Sequence, residues 1–400
     1  MTKYDLLLGF VLAAAAAGPA FAGGGVVKIG VLTDKSGRYL NLAGMSSVTA
    51  VQMAVDEFGG KVLGMPIEVV SGDHQDKPDV AVSIARQWFD RDGVDMIVDL
   101  IDTPVALAVQ KLAQERGKID IVSGAASPEL TGAACSPTGF HWTYDSYALG
   151  RGTGAAAIEQ GDKTWFFITT EAPFGLALED SAEKFITATG GKVVGEAHHP
   201  VGITDFSPYL QQAQQSGAQA VALVDAGDDA VAVVEQATRY GIGRDGQRLA
   251  GLLISLSDVH SIGLDIAQNM MMTTTFYWDL DDETRAWSER FFAKTHQMPN
   301  MVQAGDYSAT LHYLQAVEAA GTTDGPAVAE KMHALPVKDA FAREGKVRPD
   351  GLMQHDMYLA EVKTPAESKR PWDYLNIIQT IPGNIAFKPL KNSDCPFVKK

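Results

Sequence analysis

Short apolar runs alternate with amphipathic stretches along most of this chain, and the alternation restarts once. Residues 26–33 read as a buried strand and 46–58 as a helix. Strand 67–71, helix 78–91 with proline at its first position, strand 96–100, helix 103–116 and strand 119–123 follow. A helix over 147–160 opens a second series, with strands at 164–170, 192–199, 220–224, 252–256 and 270–276 and helices at 175–189, 207–216 and 229–240. Strand-helix-strand crossovers of this kind build parallel sheets, so the restart predicts two α/β lobes. The helical stretches 283–296, 305–320 and 326–333 do not alternate with strands and are expected to return to the first lobe. The expected division is 26–143 plus 281–350 for one lobe and 144–280 plus 351–382 for the other, with 383–400 as a tail returning to the first. Ligands of such sheets bind beyond the carboxyl ends of the strands, which places one shared cleft between the lobes.

The N-terminus changes where this fold is expected to work. The apolar run 6–17 is too short to cross a bilayer, and Ala20-Phe21-Ala22 before three glycines has the small-x-small form of a leader cleavage site. Residues 1–22 are therefore expected to be a signal peptide, which places the mature protein in the periplasm. The 400 residues are 46% hydrophobic and 20% charged, enough for more than one core. A formal charge of -16 argues against nucleic acid, which calls for clustered Lys and Arg. Cys135 and Cys395 are the only cysteines. In an oxidising compartment that even count predicts one disulfide tying the tail to the first half of the chain, worth about 2–5 kcal/mol.

The order of motifs resembles the type I periplasmic solute-binding proteins of ABC importers, particularly the branched-chain amino-acid (leucine-binding-like) group. The resemblance rests on Val27-Lys28-Ile29-Gly30-Val31-Leu32 followed by Ser36-Gly37, on residues 50–58 leading to Gly64-Met65-Pro66-Ile67-Glu68-Val69-Val70, and on 78–86. Ser127-Pro128-Glu129-Leu130-Thr131, Pro173-Phe174-Gly175 and Asp205-Phe206-Ser207-Pro208 extend it over nearly the whole mature chain. It implies an α/β fold of two Rossmann-like lobes with parallel-sheet cores and a multi-crossing hinge. It also implies capture of a small organic molecule by a monomer, delivery to a membrane permease, no cofactor and no enzymatic activity. A ligand-sensing role beside a membrane receptor is the other use of such a clamp.

Carried across residue by residue, the resemblance nominates Asp102, Thr103, Ala125, Ser127, Phe174, Asp225 and Ala226 as ligand contacts. Thr103 opens a helix, whose free N–H groups suit a carboxylate, and Ser127 adds a hydroxyl; both are also residue types that simply cap local structure. Asp102 either accepts from a ligand hydroxyl or caps the same helix. Where amino-acid binders place an acid for the ligand's ammonium, this chain has Leu253-Ile254-Ser255-Leu256-Ser257, with Asp258 as the first acid after it. An unpaired buried ammonium is costly, which shifts the expectation from an amino acid to an aromatic carboxylate. Tyr39 and Trp278 are then candidate ring-stacking walls, with Trp278 and Phe276 sharing one strand face.

Enzyme signatures do not survive their context. Gly241-Ile242-Gly243-Arg244-Asp245-Gly246 has dinucleotide-loop spacing but follows a helix, so Gly241 is better read as a C-cap. Gly150-Arg151-Gly152-Thr153-Gly154 falls inside a helical stretch. No H-E-x-x-H, G-x-S-x-G or P-loop sequence is present. No metal is expected: His198 and His199 are adjacent on a strand and point to opposite faces, and the acidic run 279–283 suits a helix start better than a calcium loop.

Overall fold

The computed structural model describes residues 25–399 except 160 and 245; the expected leader and its cleavage point lie outside the described residues. In the first lobe the chain runs β1 (Val27–Thr33), α1 (Gly44–Phe58), β2 (Lys61–Val62), β3 (Met65–Asp73), α2 (Pro78–Gln87), β4 (Met96–Asp99), α3 (Thr103–Arg116), β5 (Ile119–Val122) and β6 (Gly139–His141). These strands form one sheet in the order β2-β3-β1-β4-β5-β6, parallel except for the short β2 hairpin partner. β1, β4 and β5 are buried on both faces, which is why they read as continuous apolar runs.

The second lobe follows with α4 (Ser146–Glu159), β7 (Thr164–Thr170), α5 (Pro173–Ala188), β8 (Lys192–His199), α6 (Ser207–Ser216), β9 (Ala220–Val224), α7 (Asp228–Ala237), β10 (Arg248–Gly251), α8 (Leu256–Ile262), α9 (Leu264–Ala267) and β11 (Met271–Thr274). The chain then forms α10 (Asp282–Thr295), α11 (Met301–Ala320) and α12 (Gly325–Ala334), which pack on α1, β4 and β5 of the first lobe. A small antiparallel sheet of β12 (Pro336–Val337), β13 (Gly345–Val347) and β14 (Met353–Gln354) precedes β15 (Met357–Val362) and β16 (Leu375–Ile381). The last two add antiparallel edges to the second sheet, ordered β16-β15-β11-β10-β9-β7-β8.

The chain passes between the lobes near residues 142–145, 275–281 and 355–356, and once more after β16, where the tail returns to the first lobe. The first and third are tied directly, His355 Nε2 lying 2.7 Å from the Thr143 carbonyl. Cys135 and Cys395 are bonded across 260 residues of chain, so the tail is anchored to the first lobe as the cysteine count predicts. The glycines inside α4 have a packing purpose: a side chain at Gly150 would strike the backbone of α5, and one at Gly152 would strike Thr273 of β11. Gly241 does sit in the left-handed region at φ 73°, closing the turn that continues α7.

Two strand expectations are corrected. Residues 252–256 do not form a strand, because Ser255 and Asp258 make a reciprocal capping box that starts α8. β11 stops at Thr274, whose hydroxyl donates to the Phe276 carbonyl at 2.9 Å and turns the chain out of the sheet. The alternation that put Phe276 and Trp278 on one strand face therefore does not apply.

Beneath the cleft, the first lobe buries two carboxyl groups without a cation. Asp99 ends β4 at φ 88° and Asp306 sits on α11; both are 0% exposed. No well-formed hydrogen bond reaches any of their four oxygens, although the hydroxyls of Thr33 and Ser47 lie beside Asp99 and those of Ser47 and Ser123 beside Asp306. Burial pushes Asp99 up to about 7, and burial with the neighbouring Asp99 pushes Asp306 well above the carboxylate range. A carboxyl raised in the folded state contributes its full stability below the unfolded pKa, near 4, and loses it as pH rises through the folded value. Asp99→Asn, which keeps the shape and tolerates positive φ, is expected to raise the melting temperature by a few degrees at pH 8 and to change it little at pH 4, measured by calorimetry.

Candidate ligand-binding cleft

The carboxyl ends of both sheets face one another and enclose a small cavity of about 10 Å³. From the first lobe, Tyr39 and Leu42 come from the β1–α1 loop, Ile101 and Thr103 from the β4–α3 junction, and Gly124 and Ala126 from the loop after β5. From the second, Phe174 opens α5, Ala226 follows β9 and Leu253 follows β10. None of these nine residues is charged. Seven of the nine side-chain positions are apolar or glycine, leaving the Tyr39 and Thr103 hydroxyls as the polar side-chain groups of the wall.

Thr103 is 2% exposed and its Oγ1 has no hydrogen-bond partner. The start of α3 explains which donors remain there. The N-cap Asp102 accepts from Val105 N at 3.3 Å, its carbonyl accepts from Ala106 N at 2.8 Å, and Pro104 has no N–H. What the first turn still offers is the N–H and hydroxyl of Thr103 itself. Burial raises the Tyr39 phenol well above its usual value, with nearby Asp102 adding to the shift, so it stays a neutral donor.

The lobes touch beside this cavity. Asp228 N donates to the Arg38 carbonyl at 3.2 Å, and the Arg38 guanidinium lies 3.7 Å from Asp229 and 3.5 Å from Asp76. Gly227, at φ 61°, lets the second lobe close onto this loop: a Cβ there would lie 2.5 Å from the Arg38 oxygen and 2.9 Å from the Tyr39 ring. Asn300 adds a second link, its Nδ2 donating to Leu42 O at 2.9 Å and to Ser257 Oγ at 3.0 Å.

Four of the nine nominated contacts, Tyr39, Thr103, Phe174 and Ala226, line the cavity. Asp102 stands next to it and is committed to capping. Ala125, Ser127, Asp225 and Trp278 do not line it. The Ala125 carbonyl faces His141 Nε2 at 2.7 Å, and Ser127 Oγ accepts from Glu129 N at 3.3 Å as a cap. Asp225 is buried against His199, 3.0 Å away. Trp278 donates to the Trp372 carbonyl at 2.8 Å, under the Arg370 guanidinium, because the chain leaves the sheet at Thr274. Leu42, Ile101, Gly124 and Ala126 were not nominated; three are neighbours of nominated residues, and the apolar strand-end runs they terminate are the only signal for them. Leu253 stands at the start of the segment where the resemblance expects an ammonium anchor.

The periplasmic binding protein family model matches residues 26–369. The chain belongs to that family. It is of the type I, branched-chain amino-acid ABC group, whose members are the periplasmic solute-binding components of ABC transporters. It is similar to the crystal structure of a periplasmic binding protein from Burkholderia mallei, at 45% identity and TM-score 0.90 over 93% of this chain and 99% of that one. A solute-binding protein from R. palustris in complex with benzoate shares the fold at TM-score 0.83 and 21% identity, covering 93% of this chain and 100% of that one. The Leu/Ile/Val-binding protein homolog 6 of Brucella melitensis is 25% identical over 264 residues, 65% of this chain and 66% of that protein's length, a little under two thirds of it. Among the described residues, no helix is long and apolar enough to cross a membrane.

The close approach of Gly227 to Arg38 and Tyr39 makes closure of the two lobes testable. Gly227→Ala is expected to lower ligand affinity about tenfold or more by reducing the closed fraction, with the lobes held apart in small-angle scattering at ligand concentrations that close the parent protein.

Proposed function

We propose that this protein is the solute-binding component of an ABC importer, that it hands its ligand to a membrane permease, and that the ligand is a single-ring aromatic carboxylate. The observation that carries the ligand class is an uncharged cleft wall combined with one buried, unpartnered hydroxyl at a helix start. A carboxylate at Thr103 gains a charge-assisted O–H bond and the positive end of α3, and Phe174, Leu253 and the Tyr39 ring supply apolar surface for a flat ring once the lobes part to admit it. An amino acid would bring an ammonium as well, and no residue lining the cavity can neutralise it. Burying it unpaired costs several kcal/mol, more than the apolar side chain of a leucine returns. The benzoate bound by the R. palustris protein supports the reading, while the name of the Brucella homologue supports an aliphatic amino acid instead.

Titration calorimetry of the mature protein separates the two. Benzoate or 4-hydroxybenzoate is expected to bind at least about 100-fold more tightly than leucine, and Thr103→Val to weaken the aromatic acid by about 10- to 100-fold. Leucine binding with no response to either benzoate overturns the aromatic reading.

A further inference from the structure

On the side of the second lobe, Glu179 of α5 meets Glu196 and His198 of the edge strand β8. Glu196 and His198 are two apart on the strand and so share a face, which is the condition that the adjacent pair His198 and His199 fails. The imidazole Nε2 of His198 lies 3.0 Å from each oxygen of Glu179. One ligand atom from each of the three residues falls within 4.8 Å of the others.

Two features separate this cluster from an ordinary surface ion pair. The first is charge: among the described residues neither Glu179 nor Glu196 is paired with a lysine or arginine, so two carboxylates share the space with a single imidazole. Glu179 is only 8% exposed, where an uncompensated charge is costly. The second is geometry. His198 Nε2 faces both oxygens of Glu179, as a bifurcated N–H also can, and Glu196 adds a second carboxylate whose ligand atom lies within 4.8 Å of it. The 3.0 Å separations from Glu179 approach the ~3.3 Å edge of a tetrahedron built on zinc–imidazole and zinc–carboxylate bond lengths. Glu179 is also held from behind by the hydroxyl of Thr169, the residue of β7 that pairs with His198 in the sheet.

We propose that Glu179, Glu196 and His198 form a binding site for a first-row divalent cation, zinc being the best match to one imidazole and two carboxylates. The partial exposure of His198 and Glu196 leaves room for water to complete the coordination. The ion would clamp α5 to the free edge of the second sheet, away from the ligand cavity.

The test is calorimetric titration of Zn²⁺ into untagged, chelator-stripped mature protein, beside His198→Ala and Glu196→Gln. Both substituted side chains are exposed, and circular dichroism of the metal-free variants checks that the fold is kept. The expected result is one saturable equivalent in the parent protein and at least a tenfold loss of affinity in each variant. No saturable binding overturns the proposal, as does binding that either variant leaves unchanged.

Discussion

The closed cleft is a desolvated space between two sheet ends, and that constraint governs what the rest of the molecule does. Any charge brought into it must be met by a partner already waiting there, because water is excluded. The wall offers apolar surface, the Thr103 hydroxyl and the phenol of Tyr39. The carboxylates of the loops around it are spent elsewhere: Asp34 accepts from Gly37 N and Tyr39 N, Asp102 caps α3, and Asp76 lies against Arg38. The wall of the cavity thus presents hydroxyl groups and apolar surface, and none of its lining side chains is charged.

The scaffold that holds this cleft is legible in the sequence where periodicity is strong. Fully buried strands such as β4, β5 and β9 appear as apolar runs, and the crossovers between them dictate parallel sheets with ends on one side. Legibility fails where a local hydrogen bond overrides the pattern. Leu252-Leu253-Ile254 looks like a strand, but the Ser255–Asp258 box turns the chain into α8 and delivers Leu253 to the cavity. The Thr274 hydroxyl similarly takes Trp278 away from it. The antiparallel β15 and β16 close the second sheet without any crossover to announce them.

The nominated contacts divide along the same physical line. Thr103, Phe174 and Ala226 sit just past strand ends or in the first two residues of the helices that follow, and Tyr39 sits in the loop after β1, all positions dictated by topology. Ser127 and Asp225 sit nearby, but a backbone N–H and the His199 imidazole claim them first. Competition for hydrogen-bond partners within a single loop has no sequence signature, whereas the position of a strand end does. Gly227 belongs to the same account: its positive φ and its approach to Arg38 matter only once two lobes meet, which no single-lobe pattern can show.

A crystal structure of the mature protein with benzoate bound tests the central claim most directly. The account predicts the carboxylate within hydrogen-bond distance of Thr103 Oγ1 and the ring between Phe174, Leu253 and Tyr39. A ligand with its carboxylate turned away from α3, or bound outside the interlobe cavity, would contradict it.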